Sequence, residues 1–142
     1  MIKFVLKSEE DTRNLAIEIA KSVKRTDVVA LEGDLGSGKT FFASAFVNYF
    51  YGIESRGYVN VISPTFNIVK VYETNNFSIH HFDLYRIKKV EELYELDLSD
   101  AFWNVSLIEW PDIARNLLPT HTIDVKIKLI GEYREVNVKN WR

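Results

Sequence analysis

The 142-residue sequence contains no cysteine. Disulfides and thiolate metal sites are therefore excluded. Histidine is nearly as scarce: there are three, without the paired spacing that a zinc site uses. Positive charge is not in excess. Eighteen Lys and Arg stand against twenty Asp and Glu, a formal net charge of -2. Neutralising nucleic-acid phosphates needs a basic face, so this chain is not expected to grip nucleic acid alone. No apolar run is long enough to cross a bilayer. The most apolar stretch, residues 41–53, carries Ser44 and Asn48 and falls short of the roughly 20 residues a span requires. The first ten residues turn acidic at Glu9 and Glu10, too early for a signal peptide. A cytoplasmic protein is expected. Repeats, low-complexity tracts and linkers are also missing, so residues 1–142 read as one domain, large enough for a sizeable core. Its composition, 46% hydrophobic and 27% charged, is that of a soluble globular chain.

What is present centres on Gly33-Asp34-Leu35-Gly36-Ser37-Gly38-Lys39-Thr40. This stretch fits the phosphate-loop pattern G-x-x-x-x-G-K-[ST] at every fixed position. Residues 28–31 read as a buried strand leading in, and residues 41–51 as a helix leading out. The glycines let backbone N–H groups approach an anion closely. The helix adds unpaired N–H groups and the positive end of its dipole. Lys39 is placed to reach the outer phosphates, and the Thr40 hydroxyl to sit on magnesium. Asp34, Leu35, Gly36, Ser37, Gly38, Lys39 and Thr40 are thus the expected nucleotide-binding residues, with Mg2+ as cofactor. No Asn-Lys-x-Asp guanine-reading motif occurs, which favours ATP over GTP.

The rest of the chain reads as α/β. Residues 2–6 form a first strand. Ser8 then caps an amphipathic helix over residues 9–24, with Asp11 completing a capping-box pattern. The helix after the phosphate loop is apolar nearly all round, with Gly52 as its stop. Residues 58–62 are expected as a strand, followed by the bend Ser63-Pro64-Thr65-Phe66. Residues 66–72 and 77–84 form a hairpin across a four-residue loop. Residues 86–100 are helical, with a break near Asp97 and Ser99. Residues 105–109 form a short apolar strand. Pro111 then opens a short helix. Residues 122–129 and 133–138 alternate around a Gly131-Glu132 turn, as an antiparallel edge with one wet face would.

Two acids stand where chemistry is expected. Glu109 ends an apolar strand downstream of a phosphate loop, the placement of an acid that holds magnesium beside the loop Thr or polarises the attacking water. Asp83 shares a strand face with Phe77, Ile79 and His81, which is not a clean core pattern. Asp83 is either a site carboxylate or a turn cap, and His81 either a site residue or a half-buried structural histidine. Ser63 and Thr65 offer hydroxyls at a strand end, where ligands of open α/β sheets bind.

Taken in order, the phosphate loop, Ser63-Pro64-Thr65-Phe66, His81-Phe82-Asp83-Leu84-Tyr85-Arg86 and Ile108-Glu109-Trp110 resemble the TsaE family. These are bacterial ATPases required for the threonylcarbamoyl modification of adenosine 37 in ANN-decoding tRNAs. The resemblance runs from about the first helix to about Pro119. It implies a P-loop NTPase-like sheet with a mainly parallel core, antiparallel hairpins and flanking helices. It also implies ATP with magnesium and a complex with the TsaB and TsaD proteins, with tRNA met only through that complex. By motif match, Lys39 and Thr40 take the phosphates and magnesium, and Glu109 takes the place of the second metal-associated acid. Asp83 is the functional carboxylate of its motif, and Ser63 and Thr65 lie in a switch-like turn. The sequence departs from the family at Asp97, where glycine is frequent, and in residues 51–58, which are less glycine-rich than usual.

The expected activity is slow Mg-dependent ATP hydrolysis by Lys39, Asp83 and Glu109, with either acid orienting the water. Phosphate-loop enzymes without an arginine finger are slow, and a finger is worth about 10³–10⁵ in rate. Arg86 is the only arginine near a site acid in the motif-bearing region. Partners would then accelerate the reaction. One rival is a small P-loop kinase acting on a metabolite, which usually carries an arginine-rich lid; the span between the hairpin and Glu109 holds only one arginine, which weighs against it. Another is a module that binds nucleotide only to assemble.

Overall fold

The structure is a computed structural model that describes residues 1–141. Seven strands, β1 (Ile2–Leu6), β2 (Val28–Glu32), β3 (Val69–Glu73), β4 (Ser78–Asp83), β5 (Val105–Glu109), β6 (Ile123–Ile130) and β7 (Tyr133–Lys139), form one sheet. Their order is β1-β7-β6-β2-β5-β4-β3. The middle is parallel: β6, β2, β5 and β4 all run one way. Hairpins close both sides, β3 against β4 and β7 against β6, with β1 antiparallel on β7. β2 and β5 are apolar almost throughout because both of their faces are covered.

One face of the sheet carries α1 (Glu9–Ser22) and α2 (Lys39–Ile53), which pack on each other. The buried ring of Phe42, Phe46 and Phe50 on α2 fills this layer against Leu31, Ile79, Leu107 and Val125. The other face carries α3 (Leu98–Trp103) and the 3₁₀ turns Val90–Glu95 and Pro111–Leu117. There Val28, Phe82, Ile108 and Leu93 form a smaller core. Alternation along each strand sends Ile79, His81 and Asp83 of β4 to the α2 face, together with Leu107 and Glu109 of β5. Since β4 and β5 pair Asp83 with Glu109, both acids end their strands at one level.

The α1 start agrees with its sequence signal. The Ser8 hydroxyl accepts from the Asp11 N–H at 3.1 Å, and the Asp11 carboxylate returns to the Lys7 N–H at 2.9 Å. The helix ends at Ser22, two residues short of the expected 24. α2 runs longer than expected in both directions. Gly38, at φ 109, starts it two residues early, and Gly52 lies inside its last turn. The left-handed residue after the helix is Ser55, at φ 56.

Residues 58–62 are not a strand. Their backbone finds α2 instead of a ladder: Asn48 Oδ1 accepts from the Val59 N–H at 2.8 Å, and Asn48 Nδ2 donates to the Val59 carbonyl at 3.0 Å. Residues 66–68 are not strand either. Ile68 takes φ 71 and bends the chain, so β3 begins at Val69. Residues 86–100 contain no single helix. The Glu92 carboxylate caps the Lys88 and Lys89 N–H groups, and Asp97 caps α3 through the Asp100 N–H. The alternating strand β6 is not at the edge. It lies inside the sheet between β2 and β7, and β1 and β3 are outermost.

Candidate functional site

The site forms where β2, β4 and β5 end and α2 begins. Residues 33–38 leave β2 and turn back into α2. A Cβ on Gly33 would lie 2.5 Å from Ser37 Oγ and 2.7 Å from the Ile127 carbonyl oxygen, so the loop closes only around glycine. Gly38 adopts φ 109, a conformation L residues resist. The loop is thereby shaped for N–H groups to converge, and it opens into the N-terminus of a 15-residue helix.

Lys39 is buried, 5% exposed. Its Nζ donates to the Gly33 carbonyl at 2.6 Å and the Asp34 carbonyl at 2.9 Å. The ammonium also sits 4.3 Å from the centre of the Trp110 ring. Burial pushes its pKa below the ordinary lysine value, while the charges of Glu109, Asp83 and Asp34 oppose that shift. Trp110 follows Glu109 in a left-handed conformation, φ 57 and ψ 59, and its ring packs on Tyr85 at 4.8 Å.

Thr40, one residue on, donates its hydroxyl to both oxygens of Glu109, at 3.2 and 3.3 Å. Glu109 is 2% exposed and also meets His81 Nε2 at 2.6 Å. The ionised carboxylate can only accept, so His81 Nε2 carries the proton. Among the described residues His81 Nδ1 has no hydrogen-bond partner, so the His81 ring is held through its Nε2 contact with Glu109. It is fully buried, where the sequence allowed a half-buried residue.

Asp83, 4% exposed, is held on three sides. Its Oδ2 accepts from the Ser63 and Thr65 hydroxyls, and its Oδ1 from the Tyr85 N–H at 3.0 Å. It caps the following turn through Oδ1 and also borders the cavity that the loop lines. Lys39, Thr40, Asp83, Glu109, Ser63 and Thr65 border one cavity of about 300 Å³ together with Leu35, Gly36, Gly38, Phe41 and Trp110. A larger cleft of about 680 Å³ on the other side of Trp110 is bordered by Gly33, Asp34, Tyr85, Lys126 and Lys128. Among the described residues no group of three or more histidine or carboxylate side chains is arranged to hold a metal by itself. A phosphate-loop magnesium does not need one, since it takes the loop hydroxyl, one acid and oxygens from phosphate and water. The hydrogen-bonded pair Thr40 and Glu109 fits that donor set.

Among the described residues Arg86 makes no ion pair with the acids of this cavity. Its guanidinium stacks on the exposed Phe66 ring at 5.2 Å. The arginine that does touch the loop is Arg134 of β7, whose Nε donates to the Ser37 carbonyl at 2.7 Å. It lies outside every motif, 97 residues from its partner, and no local pattern marks it. The approach of Trp110 to Lys39 was likewise unmarked, although Trp110 belongs to a quoted motif.

The family model for threonylcarbamoyl adenosine biosynthesis protein TsaE matches residues 6–136. The chain belongs to the TsaE family. A TsaE relative from Rickettsia bellii is 45% identical over 138 residues, covering 96% of this chain and 93% of the relative. One from Bacillus subtilis is 34% identical over 134 residues, covering 92% and 80%. Both carry the description tRNA threonylcarbamoyladenosine biosynthesis protein TsaE. The crystal structure of Bacillus subtilis YdiB superimposes with a TM-score of 0.76 at 30% identity, covering 95% of this chain and 82% of that one. The α/β architecture expected from the TsaE motifs is the one present: a mainly parallel core, hairpins on both sides and helices on both faces.

Proposed function

We propose that this TsaE-family chain is the ATP-binding and ATP-hydrolysing component of the bacterial tRNA N6-threonylcarbamoyladenosine machinery. It acts in the cytoplasm with the TsaB and TsaD proteins and turns over slowly alone. The observation that carries the reading is the convergence of Lys39, Thr40, Glu109 and Asp83 on one cavity of about 300 Å³. Among the described residues no helix is long and apolar enough to cross a membrane.

The residues divide the work by their hydrogen bonds. Lys39 would exchange its bonds to the Gly33 and Asp34 carbonyls for the outer phosphates. Thr40 and Glu109 would hold magnesium between them. When bound, the ion supplies positive charge against the charge that develops on the transferring phosphoryl group. His81 keeps Glu109 oriented through its Nε2 contact. Asp83 is the acid that Thr40 does not engage, so it is assigned to orient the attacking water. Its second oxygen ties that role to Ser63 and Thr65, which makes the turn responsive to the phosphate end of the nucleotide.

The test combines the chain with TsaB, TsaD and tRNA, and follows phosphate release and modified adenosine together. The chain alone should release phosphate slowly, the partners should raise the rate, and Lys39→Ala should abolish both signals. Turnover by the isolated chain at the roughly 1–100 s⁻¹ of a kinase, or phosphate transferred to a metabolite, would refute the assignment.

A further inference from the structure

The phosphate loop is held from behind by a residue of the antiparallel arm. Arg134 is the second residue of β7, opposite Leu129 of β6 and Leu6 of β1. Its Nε donates to the Ser37 carbonyl at 2.7 Å. The same nitrogen would lie 3.3 Å from a Cβ on Gly38, so glycine at 38 admits the guanidinium as well as the turn. Ser37 has little else to fix its peptide. Its hydroxyl is buried without a partner, and its other loop contact is the N–H bond to the Asp34 carbonyl at 3.1 Å.

The Ser37 carbonyl and the Gly38 N–H belong to one planar trans peptide, so they point in opposite directions. In a phosphate loop the N–H groups face the anion, and the carbonyl of the same peptide then faces away from it. A cation on that carbonyl draws electron density toward the oxygen and makes the paired N–H a stronger donor.

We propose that Arg134 is a positioning residue of the nucleotide site: by holding the Ser37 carbonyl it aims and polarises the Gly38 N–H toward phosphate, without touching the nucleotide itself. The inference rests on the reading of the loop as the ATP site. It makes nucleotide affinity depend on the β6–β7 hairpin, a part of the chain that bears none of the motifs.

Binding of fluorescent ADP, with unlabelled ATP as competitor, separates the two claims. The proteins are wild type, Lys39→Ala, Arg134→Gln and Arg134→Lys, each also melted without nucleotide. Wild type should bind and Lys39→Ala should not; failure of either brings down the ATP reading and this inference with it. Arg134→Gln should weaken ADP and ATP alike by roughly tenfold, the loss of one charge-assisted hydrogen bond. The change should fall more on KM for ATP than on kcat, and Arg134→Lys should recover part of the affinity. Wild-type affinity in Arg134→Gln overturns the inference alone. So does an equal loss in Gln and Lys variants that tracks a lowered melting temperature, since that is general loosening and not orientation of one peptide.

Discussion

His81 and His80 are neighbours with opposite surroundings, and each makes a prediction. His81 donates to a buried carboxylate. Removing it leaves Glu109 with the Thr40 hydroxyl and opens a cavity. His81→Ala should destabilise the fold by about 2–4 kcal/mol, read from urea unfolding; a loss near zero would mean the pair contributes nothing. His80 faces the other layer, stacked on Phe82, with its Nε2 3.9 Å from Asp100. Burial lowers its pKa from 6.5, and the charges of Asp100, Glu73 and Asp97 only partly offset this. The unfolded chain therefore takes up the proton first as pH falls. Stability should drop as pH goes below 6.5 and level off under the lowered folded value. In His80→Gln that part of the acid limb should flatten in a pH series of unfolding curves. A third residue-scale test, at a glycine, is steric. In Gly33→Ala the new methyl meets the Ile127 backbone, so both stability and ADP affinity should fall; unchanged ADP binding would show that the loop has slack.

Among the elements, those with a strong local signal were legible and those whose fate is decided by a partner were not. Ser8 and Asp11 announced α1, the loop glycines announced the strand-to-helix turn, and Gly131 announced the β6–β7 hairpin, because each signal acts within a few residues. The stretch 58–62 has strand-forming side chains, but Asn48 supplies its backbone bonds from α2, and a contact between residues eleven apart, one of them on a helix, leaves no periodic trace. The same holds at the site. Lys39, Thr40 and Glu109 could be named from their positions, whereas Arg134 could not. Asn48 offers a test at this scale. Asn48→Ala should cost about 1–2 kcal/mol through two half-buried bonds, with faster amide exchange concentrated in residues 58–62. Uniform exchange across α2 instead would place its role in the helix.

At the scale of the whole molecule, the parallel core could be expected from the phosphate loop, but the strand order could not. Three of the six adjacencies in β1-β7-β6-β2-β5-β4-β3, namely β1–β7, β6–β2 and β2–β5, join strands that do not follow one another in the chain, and hydrophobic pattern does not encode adjacency. The overall charge was legible and carries its own prediction. With a net charge of -2 the chain alone should not retain tRNA in a gel-shift experiment at physiological salt. Tight binding by the isolated chain would overturn the view that tRNA is met only through partners. One detail of this architecture also has a practical use. Asn48 pins the chain at Val59, while Gly57 stands in open space with nothing within 4 Å of where a Cβ would be. The pin at Val59 stands in the chain between that stretch and Ser63 and Thr65. Residues inserted after Gly57, such as a short tag or a labelling site, should be absorbed there, giving a handle on the protein that leaves the nucleotide cavity undisturbed.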